Sequence, residues 1–373
     1  MISPQETRVT LIGLDVVGAA MANNLVEAGY ALCVFDDQDL PSTPDVAREL
    51  ELAGAEWAQD MAEACQDAQV IIVAPHDPVD VEELFMGDDG ILEFAEEGAY
   101  LLNMSTCSPR LSYEIYACAA VGDQTMLDAP ITGGDTAAAR GELGIYVGGD
   151  ESAFREVEAL LQVLGKRVLY MGASGQGQLA KICNQVALAG SLVGAMESLA
   201  LAKLAGMDPA KLLDGIRLSD ASSWTLYDLA PKSIKRDYSS GFFMSRFIQE
   251  IELALELADS LELTLPGMEA TYQLLDLLCT VGGGELGLQA LSLLYEEEEV
   301  CAAYGLDWSK AEDLYDGEDE DDCGCDDEDC GHDHHHHHDH DHGHVHPDQG
   351  QGFRPGPGPA GFGGIMGSFF SPN

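Results

Sequence analysis

Basic side chains are scarce in this sequence. Its 373 residues include 17 lysines and arginines against 66 aspartates and glutamates, which gives a formal net charge of −49. A negative field of this strength repels the phosphate backbone of nucleic acids and the anionic headgroups of membranes. We therefore expect neither nucleic acid nor a membrane among the partners of this protein.

Long apolar runs and targeting signals are also missing. Nowhere do about 18 uninterrupted apolar residues occur, the length that a membrane-spanning helix needs. Residues 1–10 have neither the basic region nor the apolar run of a secretory signal. We expect a cytosolic protein, and because 46% of its residues are apolar, the chain can bury a substantial core in two domains.

Histidine is rare in the body of the chain. His76 is the only one before residue 332, and the other ten lie between His332 and His346. A histidine-based triad would therefore depend on His76 alone, whose proline-flanked position fits a loop residue or a contact with a cofactor.

Seven cysteines without framework spacing predict reduced core thiols. They are Cys33, Cys65, Cys107, Cys118, Cys183, Cys279 and Cys301.

Short apolar runs alternate with helical or loop segments in the first half of the chain, which is typical of a parallel, doubly wound α/β sheet. The predicted strands are residues 8–13, 31–35, 70–74, 100–104 and one that begins at 125–127. After Gly172 the apolar period becomes helical, over residues 178–206, 246–261 and 270–305. We predict an α/β domain at 1–170, an all-helical domain at 171–305, an acidic tail at 306–348 and a Gly/Pro-rich segment at 349–373.

A glycine turn between the first predicted strand and the first helix has the pattern of a dinucleotide site. Its residues are Gly13, Leu14, Asp15, Val16, Val17 and Gly18. Asp36 ends the second strand, 18 positions after Gly18, where an acid accepts hydrogen bonds from a ribose diol and repels a 2′-phosphate. The pattern predicts a bound dinucleotide and favours NAD over NADP. The alternative is a plain structural turn.

Asp15 stands where this pattern normally has its second glycine. A carboxylate about 4 Å from a diphosphate costs roughly 1 to 4 kcal/mol per charge pair. Affinity would then fall by about tenfold to several hundredfold. Two interpretations stay open: either Asp15 rotates into solvent and the site still works, or the site is degenerate.

Five motifs follow one another in order along the chain. They are Gly-Leu-Asp-x-x-Gly-x-x-Met-Ala-x-Asn-Leu at 13–25, Met-Ser-Thr-x-x-Pro at 104–109, Asp-Ala-Pro-Ile-Thr-Gly-Gly at 128–134, Gly-x-Gly-x-x-x-Lys-x-x-Asn-Gln at 175–185 and Phe-x-Gln-Glu-Ile-x-Leu-Ala at 247–254. From about residue 8 to residue 300, the chain resembles the β-hydroxyacid dehydrogenases, the 3-hydroxyisobutyrate dehydrogenase-like group related to 6-phosphogluconate dehydrogenase. The resemblance implies an N-terminal Rossmann domain, a helical C-terminal domain and a homo-oligomer.

A proton-transfer residue can be argued beside the resemblance. Oxidation of a 3-hydroxy acid needs a base for the hydroxyl proton while hydride leaves for the nicotinamide. Lys181 is the candidate if its surroundings keep the amine neutral, because it lies in a mostly apolar helix and only seven lysines occur in the chain. The alternative is a lysine that snorkels from the helix to water.

The resemblance also implies how a small carboxylic acid would be held. Thr132, Gly133 and Gly134 would bind the substrate carboxylate through a hydroxyl and two open backbone N–H groups. Without the family, the same three residues would be a turn after a strand. Gln185, one helical turn after Lys181, would orient the substrate, and Asn184 beside it belongs to the same motif.

On the cofactor side, the resemblance puts Ser105 and Thr106 near the nicotinamide, although a cap of the following helix is the competing explanation. Gln249 and Glu250 stand where the family usually has lysine and aspartate. Gln249 therefore removes a cation expected near the cofactor. Together with Asp15, it makes the predicted nucleotide site more negative than is usual.

Cysteine, histidine and acidic residues concentrate in the tail, which we predict to be disordered without a ligand. Imidazole suits Ni, Zn, Co and Cu, and thiolates favour Zn. Many ligands without fixed spacing predict several exchanging divalent ions rather than one closed site. The alternatives are an affinity tag and a merely solvating acidic tail. The predicted ligands are Cys323, Cys325, Cys330, His332, His334, His335, His336, His337, His338, His340, His342, His344 and His346.

These observations lead to one hypothesis and one rival. The hypothesis is a cytosolic oxidoreductase that transfers hydride between NAD and a small 3-hydroxy acid, or reduces a short semialdehyde. Its tail would bind a divalent transition metal, namely Ni, Zn or Co. The rival is a catalytically degenerate dehydrogenase fold that handles or binds metal. The substitutions at Asp15 and Gln249, together with the tail, motivate the rival.

Overall fold

A computed structural model describes residues 2–4, 6–36, 43–74, 80–239 and 241–312. His76 lies outside the described residues. So do the predicted metal ligands from Cys323 to His346 and the Gly/Pro-rich segment at 349–373. The fold and the site are therefore those of residues 2–312.

Nine strands of the described residues form one sheet in the order β3-β2-β1-β4-β5-β6-β8-β7, with β9 paired to β8. They are β1 (Arg8–Ile12), β2 (Ala31–Phe35), β3 (Glu56–Trp57), β4 (Val70–Val73), β5 (Tyr100–Asn103), β6 (Thr125–Asp128), β7 (Ile131–Thr132), β8 (Gly144–Gly148) and β9 (Arg167–Gly172). The first six are parallel to one another. The predicted doubly wound parallel sheet is confirmed.

The strands after β6 were not predicted from the sequence. β8 runs antiparallel to β6 and β7, and β9 runs parallel to β8. β8 begins and ends with glycine, and β9 alternates between intermediate and exposed residues. Neither segment has the continuous apolar run of a central parallel strand, so the pattern that indicated the first strands did not indicate these.

Helices cover both faces of the sheet in the N-terminal domain. One face is packed by α1, α7 and α8, and the other by α3 to α6. These helices, with α2, are α1 (Val16–Glu27), α2 (Thr43–Ala53), α3 (Met61–Cys65), α4 (Val81–Met86), α5 (Ile91–Phe94), α6 (Pro109–Val121), α7 (Gly134–Ala139) and α8 (Glu151–Leu164). The apolar side chains of the parallel strands are thereby buried on both sides, as the Val- and Ile-rich run of β4 requires.

The C-terminal domain is helical, as predicted. Its helices are α9 (Gln176–Leu204), α10 (Pro209–Ile216), α11 (Trp224–Ile234), α12 (Met244–Ser260), α13 (Pro266–Leu278), α14 (Glu298–Ala302) and α15 (Ser309–Glu312), with a helical turn at Cys279–Gly283 and a 3₁₀ helix at Leu288–Tyr295. The core of this domain includes Leu306 and Ala311, so the packed chain continues beyond residue 305, the predicted end of the domain.

Helix α9 is the central element of the C-terminal domain. By length and composition alone it could cross a membrane, but Ala189, Leu192 and Met196 on one face are fully buried in the helical core. Its N-terminal part packs against β8 and β9 of the sheet. This helix therefore connects the two domains and carries Lys181 at their junction.

The described cysteines are all free thiols, and they differ in accessibility. Burial raises the pKa of the Cys65 and Cys107 thiols to about 12, whereas Cys118 and Cys183 are exposed. The prediction that all seven are core thiols is wrong for these two, because each lies on the outer face of its helix.

We expect iodoacetamide at pH 8 to label Cys118 and Cys183 of the native protein within minutes and to spare Cys65 and Cys107. The thiolate is the reacting form, and buried thiols of high pKa supply little of it. Peptide mapping by mass spectrometry would identify the labelled residues. Labelling of all four in urea is the control, and early labelling of Cys107 in the native protein would contradict the burial of its side chain.

Candidate active site

The glycine turn closes tightly between β1 and α1. Gly13 has a φ of +94°, which favours glycine. A Cβ at Gly18 would lie 2.2 Å from the Gly13 carbonyl oxygen, so only glycine fits there. At the end of β2, the Asp36 carboxylate faces this turn and accepts a long hydrogen bond from the Leu14 N–H, at 3.4 Å. The turn, the N-terminus of α1 and Asp36 fit a dinucleotide.

Asp15 does not take the solvent-facing arrangement that was one of the two predicted interpretations. Its Oδ1 accepts hydrogen bonds from the Val17 N–H at 3.0 Å and the Gly18 N–H at 2.8 Å, so the side chain caps α1. Its Oδ2 lies 3.4 Å from Nη1 of Arg246, and the Asp15 side chain is only 19% exposed. The carboxylate therefore neither rotates into solvent nor stands as an uncompensated charge.

Arg246 also changes the charge balance that the sequence predicted. It lies in the first turn of α12, three residues before Gln249, and reaches across to the nucleotide-binding domain. The expectation of an unusually negative nucleotide site at Asp15 and Gln249 did not take this cation into account. Arg246 could not be found from spacing, since 231 positions separate it from Asp15.

Lys181 lies at the centre of a buried polar network. Its Nζ is 3.2 Å from Oε1 of Glu250, and the two side chains are 7% and 9% exposed. Thr106 donates its hydroxyl proton to the same Oε1 at 2.6 Å, and the Gln185 amide donates to Oε2. The lysine does not snorkel to water. A ring face of Phe242 lies 5.7 Å from Nζ, so the amine is held against an apolar surface.

The loop between β5 and α6 is shaped by hydrogen bonds to α9. The Gln178 amide donates to the Ser105 carbonyl at 2.8 Å and its oxygen accepts from the Cys107 N–H at 3.1 Å. The Ser105 hydroxyl donates to the Ala74 carbonyl at 3.0 Å. Ser108, not Ser105 or Thr106, caps α6. The alternative explanation of Ser105 and Thr106 as helix caps is therefore wrong, and Thr106 instead turns towards Glu250.

The predicted substrate residues divide into two groups. Asn184 joins the Lys181 network, because its amide donates to Gln185 Oε1 at 2.8 Å; Tyr146 donates to Asn184 Oδ1 at 3.4 Å. Thr132, by contrast, pairs with Gly144 in the sheet, and Gly133 and Gly134 begin α7. The second group is a turn after a strand, and it lies close to the chain at residue 241, since a Cβ at Gly134 would be 2.7 Å from that carbonyl oxygen.

Asp128 and Glu250 are site residues to which sequence reasoning gave no role. Asp128, fully buried at the end of β6, accepts hydrogen bonds from the Gly175 N–H at 2.8 Å and the Gln178 N–H at 3.0 Å. Burial raises the pKa of this carboxyl, and the backbone N–H groups partly offset that rise. The carboxylate thus anchors the first turn of the helix that carries Lys181. In the sequence both residues are acids within an apolar run, and this feature could have indicated that they belong to the site.

Two family models match consecutive parts of the chain. Residues 8–172 match the NAD-binding domain of 6-phosphogluconate dehydrogenase, and residues 175–295 match the NAD-binding domain of NADP-dependent 3-hydroxyisobutyrate dehydrogenase. An uncharacterised oxidoreductase of Bacillus subtilis is 34% identical, over 77% of this chain and 98% of the relative. The NAD-dependent L-serine dehydrogenase of Pseudomonas aeruginosa is 33% identical, over 78% and 98%.

A solved structure extends the comparison to the fold. The 3-hydroxyisobutyrate dehydrogenase of Mycobacterium tuberculosis, determined with L-serine, superimposes with a TM-score of 0.70 at 26% identity and covers 78% of this chain and 99% of its own. The glycine turn, the two-domain fold and these relatives define a nicotinamide-dependent oxidoreductase. More narrowly, the chain belongs to the β-hydroxyacid dehydrogenase family, so the predicted resemblance is confirmed.

Proposed function

We propose that this oxidoreductase uses NAD to interconvert a small 3-hydroxy acid and its 3-oxo form, which includes the reduction of a short semialdehyde. The buried Lys181–Glu250 pair carries the proposal, because it provides a shielded amine at the junction of the two domains. L-serine and 3-hydroxyisobutyrate, which appear in the names of the relatives, are both 3-hydroxy acids. They support this substrate class.

In this proposal the neutral amine of Lys181 accepts the proton of the substrate hydroxyl during oxidation, and the resulting ammonium returns it during reduction. NAD, when bound, supplies the hydride acceptor. Glu250 fixes the position of the amine, since Thr106 and Gln185 each hold one of its two oxygens. The ring of Phe242 covers the amine on one side and limits the approach of water.

The substrate carboxylate is assigned to Thr132, Gly133 and Gly134, with Gln185 and Asn184 as orienting side chains. The hydrogen bonds that join Asn184 to Gln185 and to Tyr146 support the orienting role, because they hold both amides next to Lys181. The Thr132 hydroxyl and the backbone N–H groups after it suit an anion. A substrate with a carboxylate is therefore preferred over its ester.

The test measures initial rates with NAD and NADP on L-serine, 3-hydroxyisobutyrate and its methyl ester. We expect kcat/KM with NAD to exceed kcat/KM with NADP by about tenfold or more, because Asp36 would face the ribose and repel a 2′-phosphate. Repulsion between two like charges about 4 Å apart costs roughly 1 to 4 kcal/mol. Asp36→Ser should narrow that ratio, and the ester should react poorly. No turnover with any hydroxy acid would contradict the proposal.

We also propose that the tail binds several divalent ions such as Ni, Zn or Co. The concentration of imidazole, thiolate and carboxylate donors between Cys323 and His346 supports this proposal. Among the described residues, no group of three or more His, Cys, Asp or Glu side chains could hold a metal. A cytosolic location and a homo-oligomer stay predictions from the sequence and the family.

Removal of residues 313–373 should abolish the binding of Zn²⁺ or Ni²⁺ measured by calorimetry and leave kcat with NAD within about twofold, since this segment follows the last packed helix. A full-length variant with all ten tail histidines replaced by asparagine is the matched control for chain length. Unchanged metal binding in that variant would show that the histidines are not the ligands.

A further inference from the structure

The N-terminus of α1 already holds an anion, and that anion belongs to the chain. The Val17 and Gly18 N–H groups both donate to Asp15 Oδ1, at 3.0 and 2.8 Å. In a dinucleotide-binding turn, the N–H groups at this end of the helix face the diphosphate. Asp15 and a dinucleotide therefore compete for the same donors, and the carboxylate must leave them when the diphosphate arrives.

The second oxygen of Asp15 is held by the helical domain. Arg246 Nη1 lies 3.4 Å from Asp15 Oδ2, with side-chain exposures of 33% for the arginine and 19% for the aspartate. The surrounding charges are Asp135 at the start of α7, which interacts with both Asp15 and Arg246, and Lys232. Lys232 is paired with Asp228 at 3.0 Å. Arg246 is thus the cation directly bound at the mouth of the glycine turn.

Arginine suits an exchange of one anion for another. Its guanidinium stays charged and can bind two phosphate oxygens at once, whereas Gln249 on the same helix carries no charge. Displacement of Asp15 would leave the guanidinium next to the diphosphate, which needs a positive partner in a protein of such negative charge. One arginine can therefore serve Asp15 in the free protein and the cofactor in the complex.

We propose that Arg246 is a cofactor-binding residue of this protein: it pairs with Asp15 in the free enzyme and transfers to the diphosphate of the dinucleotide when that ligand displaces Asp15. The Asp15–Arg246 ion pair then joins the two domains in the free enzyme and breaks when the cofactor binds. This inference rests on the proposed use of NAD. The competing explanation is that Arg246 only neutralises Asp15 and does not contact the cofactor.

A double-mutant cycle separates the two explanations. NADH fluorescence titration would give the Kd of the wild type, Asp15→Ser, Arg246→Gln and the double variant; serine keeps a helix cap without the charge. We expect Asp15→Ser to tighten NADH about tenfold and Arg246→Gln to weaken it about tenfold or more. In the double variant NADH should still bind about tenfold more weakly than in Asp15→Ser alone.

Two probes without the nicotinamide locate the effect. ADP-ribose carries the diphosphate and should follow the NADH pattern in competition experiments, whereas adenosine should bind the wild type and Arg246→Gln equally. Arg110→Gln, at an exposed arginine paired with Glu114 on α6, is the charge-matched control and should leave every Kd unchanged. Thermal unfolding of each free variant would show that it is folded, and Asp15→Asn replaces Asp15→Ser if the latter is not.

Each outcome decides the matter. If NADH binds the wild type and the double variant binds it as tightly as Asp15→Ser, Arg246 acts only on Asp15 and the inference is overturned, while the proposed function stands. If no variant binds NADH, ADP-ribose or NADPH at millimolar concentration, the proposed function fails and the inference fails with it. A double variant weaker than Asp15→Ser, with adenosine unaffected, supports the transfer of Arg246 to the diphosphate.

Discussion

Replacement of Lys181 by methionine is expected to lower kcat for 3-hydroxy acid oxidation by about 100- to 10,000-fold, the range typical of general acid–base groups. Methionine keeps the length and apolar character of the side chain, so the packing against Phe242 is retained. The amine that accepts the hydroxyl proton is lost, and Glu250 keeps its hydrogen bonds from Thr106 and Gln185. The Kd for NADH should stay within about threefold, since the proposed proton transfer does not enter cofactor binding.

Two further variants sharpen this test. Lys181→Arg keeps a basic side chain beside Glu250 but should not restore turnover, because a guanidinium does not release its proton at accessible pH. Lys211→Met, at an exposed position of α10, is the matched control and should behave as the wild type. If the Lys181→Met enzyme kept more than about a tenth of the wild-type kcat, another group would transfer the proton. Circular dichroism would show that each variant is folded.

Substitution of Gly177 by alanine is expected to lower the free energy of unfolding more than the addition of a methyl group at any other position of α9. The new Cβ would lie 2.5 Å from the Tyr146 carbonyl oxygen, 2.6 Å from Asp128 Oδ2 and 2.9 Å from the Gly148 N atom. Two of these three atoms are backbone atoms of β8, so they cannot turn aside. The helix must move away from the sheet, which breaks the bonds that Asp128 accepts from Gly175 and Gln178.

The expected cost is about 2 to 6 kcal/mol, the sum of roughly 1 to 3 kcal/mol for overpacking and about 1 to 3 kcal/mol for the backbone donors left without a partner. Urea unfolding followed by circular dichroism would measure it. Gly194→Ala in the same helix meets nothing within 4 Å and should gain up to about 1 kcal/mol from helix propensity. Equal stability of the two variants would contradict the close contact between α9 and β8.

The Gly177 variant also links stability to the chemistry of the site. Lys181 lies one turn beyond Gly177 on α9, so a shift of the first turn moves the amine away from Glu250, to which it is bound at 3.2 Å. A displacement of about 1 Å at a catalytic group can cost about 100-fold in rate. We therefore expect that Gly177→Ala loses turnover even at temperatures where it stays folded.

Local patterns in the chain predicted β1, β2, β4, β5 and β6, the helical second half and the glycine turn, but not the parallel strand β3. Each of these follows from short-range rules: a short apolar run that Gly13 ends for β1 and one that Pro75 follows for β4, and helical periodicity for α9 and α12. The same rules passed over β8, which begins and ends with glycine, and β9, whose side chains are intermediate or exposed rather than buried. They also passed over Ser108 as the cap of α6.

The sequence by itself determined the family and drew attention to Lys181, Gln185 and Asp15, because motifs keep a constant spacing along the chain. Only the tertiary structure decided what these residues touch. Arg246 reaches Asp15 across 231 positions, and Glu250 reaches Thr106 across 144, through the packing of one domain against the other. An ion pair depends on distance in space, and a one-dimensional pattern carries no record of it when the partners lie on different domains.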